Sequence, residues 1–338
     1  MPKQPVAQLT RALTNWYAGT HRPLPWREST DPYLIWISEV MLQQTQVATV
    51  LPYFERFTAR FPTVQALAEA PLPDVLRLWA GLGYYSRARN LHAGALHICV
   101  HHGGLFPKTR QGVLSVPGIG PYTAGAILSI AFNLPEPVVD GNVQRVMARF
   151  YKWNKVLEST PSRDFFWAKA REWVESHPQP RILNQALMEL GALVCTKHSP
   201  RCGVCPLKAN CKAFLMGRPE RYPIRQPRKP FVELRWVALV FDHRGKLFLR
   251  KRTAQEWWTG LWDFPTQERR GEIDMSAELG GEIRHTVTHH RIRLTPVRMR
   301  LAKRPDTARW GPGRWLSRRD IAKLPTSSLV QKILRNLE

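Results

Sequence analysis

Cysteine is nearly absent from this chain: the 321 residues outside one 17-residue stretch hold only Cys99, so any disulfide framework or metal cluster is confined to that stretch. No run is long and apolar enough to span a bilayer, and a membrane protein is not expected. The amino terminus is Pro-rich and polar, which does not read as an export signal and points to a cytoplasmic location. Internal repeats and low-complexity tracts are absent as well. Acidic side chains are scarce, with 26 Asp and Glu against 50 Lys and Arg and a formal charge of +24. Such a field attracts polyanions, which makes nucleic acid the default partner. Charge alone equally fits RNA, an anionic membrane surface or a generally solvated basic exterior.

The length of 338 residues suggests two or three domains. A break is expected at 216–231, where Gly217 to Pro230 packs four prolines and five basic residues without helical or strand periodicity, as a semi-rigid linker does. The 220 residues up to Glu220 carry +10, and the remaining 118 carry +14, so the smaller part is the more basic. Residues 1–215 read as mainly α, with apolar residues at three-to-four spacing in Val6 to Tyr17, Tyr33 to Val47, Leu51 to Phe61, Pro73 to Leu82, Ser86 to His101 and Tyr122 to Phe132. Residues 232–338 change period. Leu234 to Phe241, Leu247 to Lys251 and Arg291 to Val297 read as strands with turn signals such as Asp242 to Gly245, and an α+β fold with a mixed sheet follows.

Cys195, Cys202, Cys205 and Cys211 are separated by six, two and five residues. Structural zinc favours two close thiolate pairs and only Cys202 and Cys205 form one, so four thiolates around an iron-sulfur cube fit better; two disulfides are the alternative. Upstream, Gly118 and Gly120 form a tight turn between a helix ending before Pro117 and another starting near Pro121. Such a turn lets the backbone approach a phosphate and offers the second helix's amino end to it, although a Gly-x-Gly by itself is usually just a turn. Twenty residues past Gly120 lies Asp140, before Gly-Asn and an apolar helix. It reads as an N-cap and also as an ionised carboxylate able to stabilise a developing cation, and the two roles are compatible. Glu39 sits in an apolar helix among Ile35, Ile37, Val40, Met41 and Leu42. Buried, it would hold a proton near neutral pH and pass it to a leaving group; the alternative is a place on the helix's solvated edge.

The cysteine loop resembles that of the endonuclease III superfamily of DNA glycosylases, and Leu114 to Ala126 resembles its helix-hairpin-helix element. Trp36 to Gln46, Gly81 to Asn90, Asn184 to Gly191 and the cysteine loop together resemble the adenine DNA glycosylase (MutY-type) family across roughly the first 215 residues. That resemblance implies a 4Fe-4S cluster held by the four cysteines, with basic residues between them facing DNA. It implies that Glu39 protonates adenine N7, that Asp140 stabilises the oxocarbenium ion and a following intermediate, and that Tyr122 and Asn142 support the two acids. The superfamily's bifunctional lyases have a nucleophilic Lys where Tyr122 stands, so a monofunctional glycosylase is expected. A base must leave the duplex to be cut. The resemblance makes Gln44 and Tyr84 wedge residues, with Thr45 and Leu82 near the opposite, damaged guanine; ordinary packing is the alternative for Tyr84 and Tyr85.

The carboxy-terminal part resembles the Nudix-like domain that the family uses to recognise 8-oxoguanine, through Trp257 to Pro265 and the later histidines. No Arg-Glu-x-x-Glu-Glu run follows Gly260, so Mg²⁺-dependent nucleotide hydrolysis is not expected. Where the family commonly has Phe-Ser-His, this chain has Val287-Thr288-His289, and Thr288 and His289 remain candidates for touching the lesion. His285, His289 and His290 also read as a polar edge before a strand. The expectation is a monomeric, nucleoid-associated enzyme that excises adenine opposite 8-oxoguanine or G from double-stranded DNA. A thymine or uracil mismatch glycosylase, or a non-enzymatic iron-sulfur DNA-binding protein, are the alternatives.

Overall fold

The computed structural model describes residues 5–227, 230–268 and 278–337. Arg228 and Lys229 of the expected linker, and the outermost ends of the expected domains, lie outside the described residues. Helices α1 (Val6–Thr20), α2 (Pro32–Leu42), α3 (Val47–Arg60), α4 (Val64–Glu69), α5 (Leu72–Trp79), α6 (Ser86–His102), α7 (Arg110–Leu114), α8 (Pro121–Ala126), α9 (Gly141–Tyr151), α10 (Thr160–Glu175), α11 (Pro180–Leu193) and α12 (Lys212–Leu215) come first. Strands β1 (Val232–His243), β2 (Lys246–Lys251), β3 (Trp262–Asp263), β4 (Thr266–Glu268), β5 (Glu278–Leu279), β6 (Ile283–Val287), β7 (His290–Arg300) and β8 (Gly313–Leu316) follow, then α13 (Arg318–Ile321) and α14 (Ser328–Asn336).

The expected helix from Tyr33 to Val47 is two helices. Asp31 caps the first, its Oδ1 accepting from the Tyr33 amide at 2.8 Å, and Pro32 supplies a first-turn residue that needs no amide partner. The helix stops at Leu42 because the chain turns through Gln43 and the left-handed Gln44 (φ 58°) before α3 begins at Val47. The apolar spacing continues across the break, which is why periodicity alone joined the two. Similarly, Tyr122 to Phe132 is α8 followed by a wider helical turn over Ile127–Ala131.

The chain packs as two compact units, one of Met1–Val50, Phe61–Ala68 and Ala93–Pro227, the other of Leu51–Arg60, Glu69–His92 and Arg228–Glu338. These units cut across the division expected near residue 216, since two helical segments pack with the carboxy-terminal residues. In the first, Leu9, Leu13 and Tyr17 of α1 meet Val143, Val146 and Met147 of α9, Phe166 and Trp173 of α10, and Leu183, Leu187 and Leu190 of α11 in one core. α2 buries Ile35, Trp36, Ile37, Val40 and Met41, the pattern of a helix apolar nearly all round, and Gly94 of α6 leaves the room that the Trp36 ring fills.

In the second unit an eight-stranded mixed sheet runs β3-β2-β1-β7-β5, with β4 on β1, β6 on β7 and β8 on β2; β1 and β7 are parallel and the other pairs antiparallel. Strand alternation sorts β1 between two cores: Ala238 and Val240 pack with Ile321 of α13 and Leu329, Val330 and Ile333 of α14, while Val237, Leu239 and Phe241 pack with Phe248 and Val297 on the other face. The expected turn at Asp242 to Gly245 is a two-residue hairpin with Arg244 and Gly245 at φ 51° and 76°, and Asp242 Oδ1 accepts from the Gly245 amide at 3.0 Å.

Gly125 of α8 lies against the segment that leads to α9. A Cβ there would sit 2.1 Å from the Pro137 carbonyl oxygen, a backbone atom that cannot swing away. Gly125→Ala is therefore expected to destabilise the protein by about 1–3 kcal/mol. Urea unfolding checks it, and a wild-type midpoint would mean that this backbone yields without cost.

Candidate active site

Glu39 is buried (6% exposed) rather than at a solvated helix edge. Burial pushes its carboxyl up to about 7; the neighbouring charge of Asp140 adds to this, while the Tyr122 hydroxyl and the charge of Arg27 oppose it. Tyr122, in the first turn of α8, donates its Oη proton to Glu39 Oε2 and lies 3.6 Å from Met188 Sδ. Burial and the two nearby carboxylates keep the phenol itself well above its ordinary value, so Tyr122 stays a donor. An apolar helix thus presents one acid that is still protonated near neutral pH.

Asp140 caps α9. Its Oδ1 accepts from the Val143 amide at 2.7 Å and its Oδ2 accepts from Asn142 Nδ2 at 2.9 Å. Burial holds this carboxyl above its ordinary value as well, and the Val143 amide, both Asn142 donors and the Arg145 charge offset that rise only in part. Of the two acids, Asp140 is the one with a donor on each oxygen, the arrangement that favours a carboxylate. Asn142 is oriented in turn, because Arg145 Nη2 donates to its Oδ1 at 2.7 Å and leaves Nδ2 to face Asp140. Arg145 also donates to the Gly191 and Cys195 carbonyls at 2.6 and 2.7 Å. Gly191 is there by necessity, since a Cβ would come within 2.5 Å of Asn142 Cβ.

Both acids open onto a cavity of about 880 Å³, which Tyr122, Asn142, Gln44 and Thr45 also line. Sequence reading missed the charges on its other wall. Glu189 of α11 is fully buried and receives paired hydrogen bonds from Arg22 (2.9 and 2.7 Å) and Arg27 (2.9 and 2.6 Å). Burial by itself would raise Glu189, but these donors outweigh it and hold the group at about 2. The available signal was the short run between α1 and α2, where Arg22 and Arg27 flank Pro23, Pro25 and Trp26, which lines the same cavity.

Past α11, Cys195, Cys202, Cys205 and Cys211 line one small cavity with Val194, Phe214 and the buried Arg149. Arg149 Nη1 lies 3.3 Å from Cys195 Sγ, and its guanidinium also donates to the Thr196, Lys197 and Tyr222 carbonyls. None of the four forms a disulfide in this structure. Among the described residues no group of three or more His, Cys, Asp or Glu is spaced for a single metal ion.

The other expected residues lie elsewhere. Gly118 (φ 81°) and Gly120 shape the turn between α7 and α8, with Val116 and Ile119 tucked beneath it and Gly120 capping α8. Leu82, Tyr84, Thr288 and His289 belong to the second unit. Leu82 is buried, Tyr84 is exposed at φ 48°, and Thr288 and His289 form the turn between β6 and β7, Thr288 at φ 52°.

Residues 37–175 match the family described as HhH-GPD superfamily base excision DNA repair protein, and residues 236–336 match the NUDIX domain. An adenine DNA glycosylase from Buchnera aphidicola subsp. Baizongia pistaciae is 36% identical over 85% of this chain and 84% of its own length. The human adenine DNA glycosylase is 33% identical over 98% of this chain and 74% of its own. A solved thermostable thymine-DNA glycosylase superposes with a TM-score of 0.57 at 24% identity, covering 62% of this chain and 97% of that one, a likeness of fold.

The raised carboxyl of Glu39 has a stability consequence. Below about pH 4.5 it is protonated whether the chain is folded or not. As pH climbs toward about 7 only the unfolded chain ionises it, so folding loses on the order of 3 kcal/mol, and the loss levels off above that pH. The stability gap between Glu39→Gln and wild type should therefore open in favour of the variant across this interval. Urea titrations at stepped pH measure the gap; a flat one would mean that Glu39 ionises like a surface glutamate.

Proposed function

This chain belongs to the adenine DNA glycosylase family, and we propose that it excises adenine paired with 8-oxoguanine, or more weakly with G, from double-stranded DNA, leaving an abasic site. It is an enzyme of base excision repair with a helix-hairpin-helix domain and a Nudix-like domain. The observation that carries the mechanism is the pairing in one cavity of a buried acid with a carboxyl near 7 and a capped, hydrogen-bonded carboxylate.

Adenine turned out of the duplex enters the cavity, and Glu39 gives its proton to N7. The bond from C1′ to N9 then breaks with its electrons moving into the base. Asp140 stabilises the cationic sugar, and by family precedent forms the intermediate from which water restores the sugar with retained configuration. The Glu39 carboxylate left behind is placed to take the proton of that water. Tyr122 holds Glu39 and Asn142 holds Asp140, while Arg22, Arg27 and Glu189 give the cavity fixed charges and donors for the base's polar edge. Among the described residues Tyr122, not a lysine, stands beside Glu39 in the cavity, which supports hydrolysis over lyase chemistry. Gln44 and Tyr84 serve as wedges, and Thr45, Leu82, Thr288 and His289 contact the opposite guanine. The turn at Gly118 and Gly120 grips a backbone phosphate.

Four thiols around one cavity, backed by a buried guanidinium, are a donor set that fits a 4Fe-4S cluster. The cluster would be held by Cys195, Cys202, Cys205 and Cys211 and would order the loop, leaving Lys197, Arg201, Lys208 and Lys212 to face DNA. We take the protein to act as a monomer at the nucleoid; no helix among the described residues is long and apolar enough to cross a membrane.

Single-turnover base release from duplexes carrying A opposite 8-oxoguanine, A opposite G and T opposite G tests the reading. Adenine should leave fastest opposite 8-oxoguanine. Release of thymine alone would move the protein to another mismatch activity, and no release at all would favour a binding protein. In the same assay Glu39→Gln should abolish excision and keep duplex binding; turnover near wild type would remove Glu39 from the mechanism.

A further inference from the structure

Tyr84 is the exposed aromatic of a loop fixed at every step. It is 48% exposed and sits at φ 48°, between Gly83 at φ 70° and the buried Tyr85. Behind it, Trp79 Nε1 donates to the Gly83 carbonyl at 3.1 Å, Arg87 Nη2 to the Leu82 carbonyl at 3.2 Å, and Tyr53 Oη to the Ala80 carbonyl at 2.9 Å. Gly81 cannot carry a side chain, because a Cβ would fall 2.1 Å from Tyr53 Oη. A side chain presented this way loses little entropy on meeting a partner.

Two further bonds leave this loop and its following helix for the carboxy-terminal residues of the same unit. Tyr85 Oη takes the Gly81 amide at 3.4 Å and donates to the Thr326 carbonyl at 3.1 Å. Arg89 Nη1 donates to the Thr259 carbonyl at 2.8 Å. Thr259 directly follows Trp257 and Trp258. Those indoles pack on the two strands that carry the turn at Thr288 and His289: Trp258 lies 5.6 Å from the His285 ring of β6, and Trp257 lies 4.9 Å from the His290 ring of β7. Thr326 pairs with Trp262 of β3. A continuous run of packed groups therefore connects Tyr84 with the Thr288-His289 turn.

We propose that Tyr85 and Arg89 are positioning residues that fix the Tyr84 loop to the Thr288-His289 turn, so that both read the base opposite the adenine as one rigid body. This rests on the functional reading above, in which both elements contact that base. Neither Tyr85 nor Arg89 lines the catalytic cavity. Their loss should therefore remove part of the acceleration that 8-oxoguanine gives and leave base release opposite G unchanged.

Tyr85→Phe keeps the ring and removes both hydroxyl bonds; Arg89→Met removes the other anchor and Arg89→Lys retains a donor. In single-turnover assays each removal should lower the rate on A opposite 8-oxoguanine by about fivefold, the scale of a hydrogen bond's net contribution, with A opposite G unchanged. Arg89→Lys should recover part of the ratio. Combining Tyr85→Phe with His289→Ala should give less than the product of the two effects, as shared action requires. A wild-type ratio in both single variants, equal slowing on both duplexes, or independent effects in the double variant would overturn the proposal. If Tyr85→Phe lowers the thermal midpoint, the ratio in Arg89→Met decides. A wild-type protein without preference for 8-oxoguanine would instead overturn the functional reading.

Discussion

A carboxyl group placed inside an apolar helix is the constraint from which the catalytic unit is built. Glu39 keeps its proton near neutrality because burial among apolar side chains strips most of its hydration, and its surroundings must supply what that water would have supplied. Tyr122 does so with a single hydroxyl, which leaves the acid in place without fully stabilising its charge. In the same cavity Asp140 is half-buried, and it accepts from a helix amide and an oriented carboxamide. Two acids of ordinary chemistry are separated in function by the donors that each one meets.

Those donors depend on arginines whose positive charge is spent inside the protein. Arg145 orients Asn142 and ties it to the carbonyls of Gly191 and Cys195; one turn on, Arg149 gathers the start of the cysteine loop. Helix α9 therefore joins the anion at its first turn to the four thiols beyond its middle. Arg22 and Arg27 are committed in the same way to Glu189. A share of the +24 charge is internal scaffolding, and the rest faces outward for a polyanion.

Much of this was readable in the sequence where chemistry requires rare neighbours. Four cysteines in one stretch, two glycines between helices and a glutamate among apolar residues stand out because their alternatives are costly. The class of fold followed from the change of period near residue 232. The break at Gln43 and Gln44 did not, because apolar spacing continues through a turn that keeps both helices in one core. Glu189 stands out only as part of the resembling segment from Asn184 to Gly191, and Arg22 and Arg27 do not stand out at all, since surface arginines and buried ones look alike until their partner is placed. The packing of Glu69–His92 with the carboxy-terminal strands was equally hidden: it rests on hydroxyl and guanidinium contacts to backbone carbonyls, which leave no periodic trace.

Asp140 both starts a helix and lines the cavity, and under the proposed mechanism this binds two kinds of failure together. Most replacements at this position would remove the anion and unfasten the first turn of α9 at once, so a damaged enzyme and an unstable one would look the same. Asparagine is the exception, because its side-chain oxygen still accepts from the Val143 amide while its charge is gone. The tolerance of this position to natural variation is accordingly set by the helix as much as by the chemistry.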